Sequence, residues 1–307
     1  MRPHGIMFHH FHDDRHPPGQ GSISAGQLAE LIEHLGRDRI LPADQWLARA
    51  VEGTLAGGEL CLTFDDTLRC QYDIALPVMR DYGLTAFWFV ASSVMQGRLE
   101  RLELYRKFRA TAFEHIDEFY EAFAQATCGS PYAAEVRQQL EHFEPAGYLV
   151  DFAFYTDSDR QFRYLRDEVL GPQRYREIMD AMIASRGLEL QELARDLWMD
   201  DACVRQLDSA GHLIGLHSHT HPTRLAELDA AAQRQEYQAN YDHLTRLLPK
   251  PPACMSHPCN SYNDDTLAIL RDLGIVLGFR ANLADDTTSL LELPRQDHAT
   301  ILADMLA

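Results

Sequence analysis

The chain has 307 residues, with 28 basic against 46 acidic side chains and a formal net charge of −18. Its 46% hydrophobic and 24% charged residues are the mix of a folded globular protein, which excludes a disordered chain, a collagen-like repeat and a small disulfide scaffold. The acidic balance argues against nucleic acid and anionic membrane surfaces as partners, because both need clustered Lys and Arg.

The length suits one large α/β domain or two smaller ones. No window of about 18 apolar residues occurs, so no membrane span is expected. The first 16 residues lack the basic head and apolar run of a signal peptide, and the chain is read as cytoplasmic. Cys61, Cys70, Cys128, Cys203, Cys254 and Cys259 form no CxxC pair, which points to reduced thiols rather than disulfides or a paired-cysteine zinc site.

In chain order, short apolar runs predict strands at 6–11, 60–64, 86–91, 213–216, 253–256, 276–279 and 291–293. Helical periodicity marks 25–35, 72–82, 226–248 and 264–273, with Gly83 and Gly274 placed as C-caps. Alternating strand and helix predicts a parallel sheet or barrel, and seven strands favour the barrel. The rhythm breaks between 95 and 200, where 98–126, 132–143, 173–185 and 189–198 read as amphipathic helices. The expected organisation is a barrel from 1–94 and 201–307, with 95–200 as a helical insertion. Phe108, Phe113, Phe119, Tyr120 and Phe123 are expected in the insertion's core.

Two clusters carry chemistry. Asp65 and Asp66 follow the apolar run Leu60-Cys61-Leu62, at the strand end where parallel α/β folds build sites. His217, His219 and His221 follow Leu213-Ile214-Gly215-Leu216. Imidazole is the commonest neutral metal ligand, and a spacing of four puts His217 and His221 on one face of a helical turn. In an extended chain all three would share a face, so the spacing leaves His219 open. One carboxylate with two imidazoles leaves coordination positions free, as catalytic sites do. A second carboxylate beside them suits proton abstraction from water, the arrangement of a hydrolase. A non-haem iron oxygenase and a carbohydrate-binding protein with a degenerate site remain the other classes.

Thr63-Phe64-Asp65-Asp66 and His217-Ser218-His219-Thr220-His221-Pro222 resemble the first two motifs of the polysaccharide deacetylase family (NodB-homology domain, carbohydrate esterase family four). The segment from Met255 to Asn263 resembles the third motif, with Thr266, Leu267 and Gly274 in the helix after it. Leu293-Pro294-Arg295 resembles the late strand with a motif arginine, and Phe8-His9 the tyrosine-histidine of the first strand. The likeness spans 1–94 and 201–307.

The resemblance implies a distorted, TIM-like (β/α)7 barrel. It further implies metal-dependent hydrolysis of an N- or O-acyl group, acetyl first, on a carbohydrate or sugar conjugate. Carried over by position, Asp65 is the general base, and Asp66, His217 and His221 hold a divalent ion. Zinc is the first match, with cobalt, nickel or manganese also accepted. A backbone amide near Cys259 would donate to the oxyanion, a role that needs only an N–H. Three departures stand out. Ser256 replaces the arginine that orients the catalytic aspartate, a task open to Arg295 because a guanidinium holds a carboxylate with two bonds. Asn260 replaces a glycine. The late motif carrying the general acid is missing, which makes His298 the first substitute, with His9, His10 and His12 after it; His9 and His10 are also expected to line the mouth against substrate. The expected substrate is a nucleotide- or lipid-linked intermediate of surface-polysaccharide synthesis, and removal of a formyl group is the alternative chemistry. The insertion is expected either to shape recognition or to serve as a homo-oligomer surface.

Overall fold

The structure is a computed structural model describing residues 2–150, 155–284 and 289–306. The chain forms two compact units, Met1–Glu100 with Asp196–Ala307, and Arg101–Arg195.

The first unit is built on seven parallel strands, β1 (His4–Phe8), β2 (Leu60–Phe64), β3 (Phe87–Val90), β4 (Leu213–Leu216), β5 (Cys254–Ser256), β6 (Leu277–Phe279) and β7 (Arg295–Asp297). Their order is β6-β5-β4-β3-β2-β1-β7, every pairing parallel. The two ends of the sheet approach each other through Leu293, which bridges to Phe279 and donates its N–H to Gly278 O at 2.8 Å. A Cβ on Gly278 would lie 2.6 Å from Leu291 O, so only glycine lets the backbones meet there. The fold is a distorted (β/α)7 barrel with a large helical insertion.

Helices α1 (Ala25–Leu35), α2 (Ala43–Glu52) and α3 (Leu76–Asp81) belong to the first half of the barrel. The second unit consists of α4 (Arg101–Thr111), α5 (Ile116–Cys128), α6 (Ala133–Leu140), α7 (Asp157–Tyr164), α8 (Gly171–Ser185) and α9 (Leu190–Ala194). The barrel resumes with α10 (Asp201–Ser209), α11 (Ala230–Leu247), α12 (Asp264–Asp272) and α13 (His298–Leu306). Helix α1 shows the local logic: Ser24 and Gln27 form a capping box, Leu28, Leu31 and Ile32 bury one face, and Gly36 ends it. Among the described residues no helix is long and apolar enough to cross a membrane.

The period-two alternation of the strands divides the barrel core in two. Ile6, Phe8, Leu60, Leu62, Phe64, Trp88, Val90, Ile214, Leu216 and Met255 pack with the surrounding helices. Cys61, Phe87, Phe89, Cys254, Leu277 and Phe279 form a second cluster, joined by Ala43, Trp46 and Ala50 of α2. Continuing this second set along β2, residues 63 and 65 follow Cys61 on the same side. Asp65 thus leaves the strand on the side where Arg295 lies, with the Arg295 guanidinium 5.8 Å from the Phe89 ring and 6.0 Å from the Phe279 ring.

Several elements differ from the expected ones. The last strand falls at Arg295–Asp297, whereas Leu290–Glu292 is a 3-10 turn. The apolar signal of 291–293 reports burial, while the polar Arg-Gln-Asp stretch pairs with β1. The predicted helix at 72–82 divides into a π-turn at Gln71–Ala75 and α3. The stretch 98–126 divides into α4 and α5. Helices α2, α7, α10 and α13 lie outside the segments where periodicity predicts a helix. In the second unit Phe108, Phe113, Phe119, Tyr120 and Phe123 are buried as expected.

Candidate metal centre and active site

The β2, β4 and β5 strands all end in loops with strained backbone. Of the eight non-glycine residues with positive φ among those described, six are there: Asp66 (75°), Thr67 (62°), Ser218 (60°), His221 (54°), Cys259 (49°) and Asn260 (56°). Each such conformation costs on the order of 1–3 kcal/mol and persists only where surrounding contacts enforce it. After β2, Thr67 Oγ1 donates to Ala91 O at 3.3 Å and accepts from Ala91 N at 2.8 Å. Gln71 Nε2 donates to Asp65 O at 2.6 Å and to His9 O at 2.8 Å, fastening the first-strand histidine beside the Asp pair.

After β4, α11 does the fastening. Asn240 Oδ1 accepts from His217 N at 3.0 Å while its amide donates to Val90 O at 2.9 Å. One turn earlier, Glu236 accepts from His219 N at 3.0 Å and from Thr220 N and Oγ1 at 2.7 and 2.6 Å. Ser218 Oγ accepts from His221 N at 3.1 Å.

These constraints gather Asp66, His217 and His221, whose ligand atoms all lie within 4.8 Å of one another. Asp66 Oδ1 is 3.2 Å from Nε2 of each imidazole. His217 Nδ1 lies 3.0 Å from Ser256 O and 2.7 Å from Ser256 Oγ. Donation from Nδ1 leaves the Nε2 lone pair facing Asp66 and His221, the outer-partner arrangement that orients metal-ligating histidines. A carboxylate and two imidazoles, that of His217 held in one tautomer, fit a divalent first-row ion. His219, which the spacing left open, turns its Nδ1 to Ser92 Oγ at 2.9 Å and is outside this group.

Asp65 is buried beside this group. Arg295 donates from Nη1 to Oδ1 and from Nη2 to Oδ2, each at 2.8 Å, and Ser256 Oγ donates to Oδ1 at 3.1 Å. Burial pushes the Asp65 carboxyl up, but the charge of Arg295, then of His217, and the Arg295 hydrogen bonds outweigh it and hold it below the ordinary value. Burial likewise opposes ionisation of Asp66, and when the imidazoles are protonated the charge of His221 and the hydrogen bonds of both drive it well below that value, whereas their neutral form is the one able to ligate. Ser256 thus joins the two halves of the site, touching His217 on one side and Asp65 on the other.

His9 Nε2 lies 3.9 Å from Asp65 Oδ2 and 3.9 Å from Asp66 Oδ2. Burial lowers its pKa against the pull of Asp66 and Asp65. His10 stacks on it, with centroids 6.2 Å apart. Cys259 is exposed in the turn directly after β5, on the side of the barrel where Ser256 meets Asp65. His298, expected as proton donor, has a different place. Its Nδ1 is 3.1 Å from Met7 O, its Nε2 3.1 Å from Gly21 O, and its ring stacks on Phe8. With both nitrogens held by carbonyls it ties α13 to β1, and the imidazole facing the carboxylates is His9. Sequence reasoning had no role for Gln71, Glu236 or Asn240. The buried polar stripe Gln233, Asn240 and His243 along α11 is the signal that could have drawn attention to that helix.

Replacing Ser256 by Ala removes the hydroxyl and leaves only its backbone carbonyl for His217. Losses of such outer partners cost about 10–100-fold in metal affinity or activity. We expect a fall of that size in Ser256→Ala, and near-normal behaviour in Ser256→Thr. Metal titration alongside turnover measures both, and normal values in the alanine variant would exclude the coupling.

Fold and site together define a parallel α/β barrel with two histidines and a carboxylate placed to hold a metal at its strand ends and an arginine-clamped carboxylate beside them. The family model described as Polysaccharide deacetylase matches residues 184–278. The Streptococcus pyogenes deacetylase PplD in complex with acetate is similar in structure at a TM-score of 0.56 and 14% identity, covering 97% of this chain and 92% of that one. IcaB from Ammonifex degensii gives 0.53 at 12% identity, covering 96% and 90%. The de-N-acetylase from Aggregatibacter actinomycetemcomitans gives 0.53 at 13%, covering 99% of both chains. Likeness at these identities is one of fold. Among curated proteins none matches the sequence. The chain resembles the polysaccharide deacetylase family, in sequence over the matched segment and in fold throughout, and the family match supports a hydrolase of that kind.

Proposed function

We propose that this protein is a metal-dependent hydrolase that removes an N- or O-acyl group, acetyl first, from a sugar. The observation that carries the reading is the placing of Asp65: clamped by Arg295 at two 2.8 Å bonds and set directly beside the Asp66, His217 and His221 triad. Oxygen chemistry needs no such second carboxylate.

Asp66, His217 and His221 would hold a divalent ion, zinc first, which when bound would supply Lewis acidity for the acyl carbonyl and for water. Asp65 takes the proton of the attacking water. Arg295 keeps both carboxylate oxygens in register, so the proton is received without reorientation. The Arg295 charge also makes Asp65 a weaker base, which the acidified water offsets. His9, facing both carboxylates, hands a proton to the leaving nitrogen or oxygen. A backbone N–H in the turn at Cys259 is assigned to the developing oxyanion. The substrate is proposed to be a nucleotide- or lipid-linked sugar handled in the cytoplasm.

Acetate and formate release from a panel of acylated amino sugars, with metal analysis of the purified protein, tests this reading. Acetate should appear, cease on chelation and return with zinc. Formate alone would reassign the acyl group. A metal-loaded protein inactive on every acylated sugar would overturn the hydrolase reading.

A further inference from the structure

The second unit carries a cluster that has no part in the barrel site. The Arg109 guanidinium of α4 lies 5.3 Å from the Phe162 ring centroid and 5.7 Å from that of Phe119. Arg166 reaches the same Phe162 ring at 5.7 Å, and Arg163 covers Tyr155 at 4.0 Å. Tyr175 of α8 stands among them, its ring 6.1 Å from Phe162, and the charges of Arg109, Arg166 and Arg163 all act on its phenol.

Among the described residues, carboxylates act on two of these three cations, Asp159 on Arg163 and Asp167 on Arg166. Arg166 has Asp167, bonded at 2.6 and 2.7 Å. Arg109 makes no hydrogen bond and no ion pair among the described residues, and its Nε is buried without a partner. After burial, the groups that act on it most are Tyr175, Arg106, Tyr120 and Arg166, two of them cations and none a carboxylate. The Tyr175 hydroxyl also makes no hydrogen bond among the described residues. Burying an unpaired cation is costly, and arginine cannot escape by losing its proton. Contact with aromatic faces returns only a small part of that cost. The guanidinium is partly open to solvent, so an anion from solution can reach it and complete its hydrogen bonds in place of water. A carboxylate brings one charge; a phosphate ester brings up to about two and three oxygens, which suits the fork of Arg109 together with the Nη1 of Arg166 that Asp167 leaves open. The neighbouring tyrosine rings offer flat apolar faces to the ligand's organic part.

We propose that Arg109, Arg166 and Tyr175 form a site for a phosphate-bearing ligand, the phosphate on the guanidinium groups and its organic part against the rings. The proposal stands on the second unit alone and does not depend on the hydrolase reading.

Calorimetry and thermal melting of the full chain at low ionic strength test it, with inorganic phosphate, a hexose 1-phosphate and a nucleoside monophosphate as separate probes. At least one should bind saturably and raise the melting temperature more than chloride at matched ionic strength. The tightest of the three identifies the source of the phosphate. Arg109→Gln should weaken binding at least about tenfold, the size of a lost charged hydrogen bond. Arg109→Lys keeps the charge but loses the fork, and should fall between. His217→Ala, which disables the barrel metal triad, should bind the probe normally; loss of binding in that variant would place the phosphate in the barrel and overturn the proposal. Without ligand, Arg109→Gln should melt at or above the unaltered chain, because it removes an unneutralised cation. A lower melting point together with no phosphate effect would make Arg109 a structural cation. No saturable binding by any probe, or equal binding in Arg109→Gln, overturns the site.

Discussion

Asp65→Asn is expected to lower acyl release by about 10²–10⁴-fold, the usual worth of a positioned general base, while the metal content of the protein stays near normal. The separation follows from geometry. Asp66, His217 and His221 hold the ligand atoms, and Asp65 stands outside that group with its oxygens on Arg295 and Ser256. The same substitution has a second consequence. Arg295 is fully buried, and the asparagine amide turns an N–H₂ towards one of its donors. Breaking a buried pair in this way costs about 3–5 kcal/mol, so the variant should also melt lower. Acid should act through the same contact. The folded Asp65 carboxyl titrates below its unfolded value, so its contribution is complete above the ordinary carboxylate range and is lost as pH falls through the depressed folded value. Acetate release, metal analysis and melting curves together check the prediction. Full turnover in a folded, metal-loaded Asp65→Asn protein would remove Asp65 from the mechanism.

His217→Ala should instead lose the metal. Its Nε2 faces Asp66 Oδ1 at 3.2 Å, its Nδ1 is fixed by Ser256, and its backbone N–H is fixed by Asn240. Loss of an outer partner alone costs about 10–100-fold in affinity; loss of the ligand itself should exceed that range and take turnover with it. His219→Ala is the internal control. Its ring contacts Ser92, so it should keep both metal and activity. Equal zinc affinity in His217→Ala and the unaltered chain would show that the ion, if held, is held elsewhere.

These two variants draw on different kinds of legibility. Asp65, Asp66, His217 and His221 were readable because each pair sits at the end of an apolar run, and a parallel strand delivers its last residues to the barrel mouth. The strands at Leu60–Phe64 and Leu213–Leu216 were found to the residue for the same reason. The β7 strand was not, because its three residues are polar and only its pairing with β1 makes it a strand. Arg295 could be named as a stand-in for the missing motif arginine, but its reach to Asp65 depends on how the barrel curves. Two histidines are the clearest case. His298 and His9 are equally conspicuous as letters; one is held by the carbonyls of Met7 and Gly21, the other faces Asp65 and Asp66.

By itself, the sequence determined the alternation of strand and helix, and it singled out Asp65, Asp66, His217 and His221, which the fold brings together. Those are local matters of apolar period and residue chemistry. The tertiary structure alone decided that Ser256 links His217 to Asp65, that Gln71 and Asn240 set the loops, that His219 turns away, and that Arg109 lies against the rings of Phe119 and Phe162. Each of these rests on residues far apart in the chain meeting in space. A hydrogen bond is decided by distance and direction between such groups, and no spacing along a single segment encodes either.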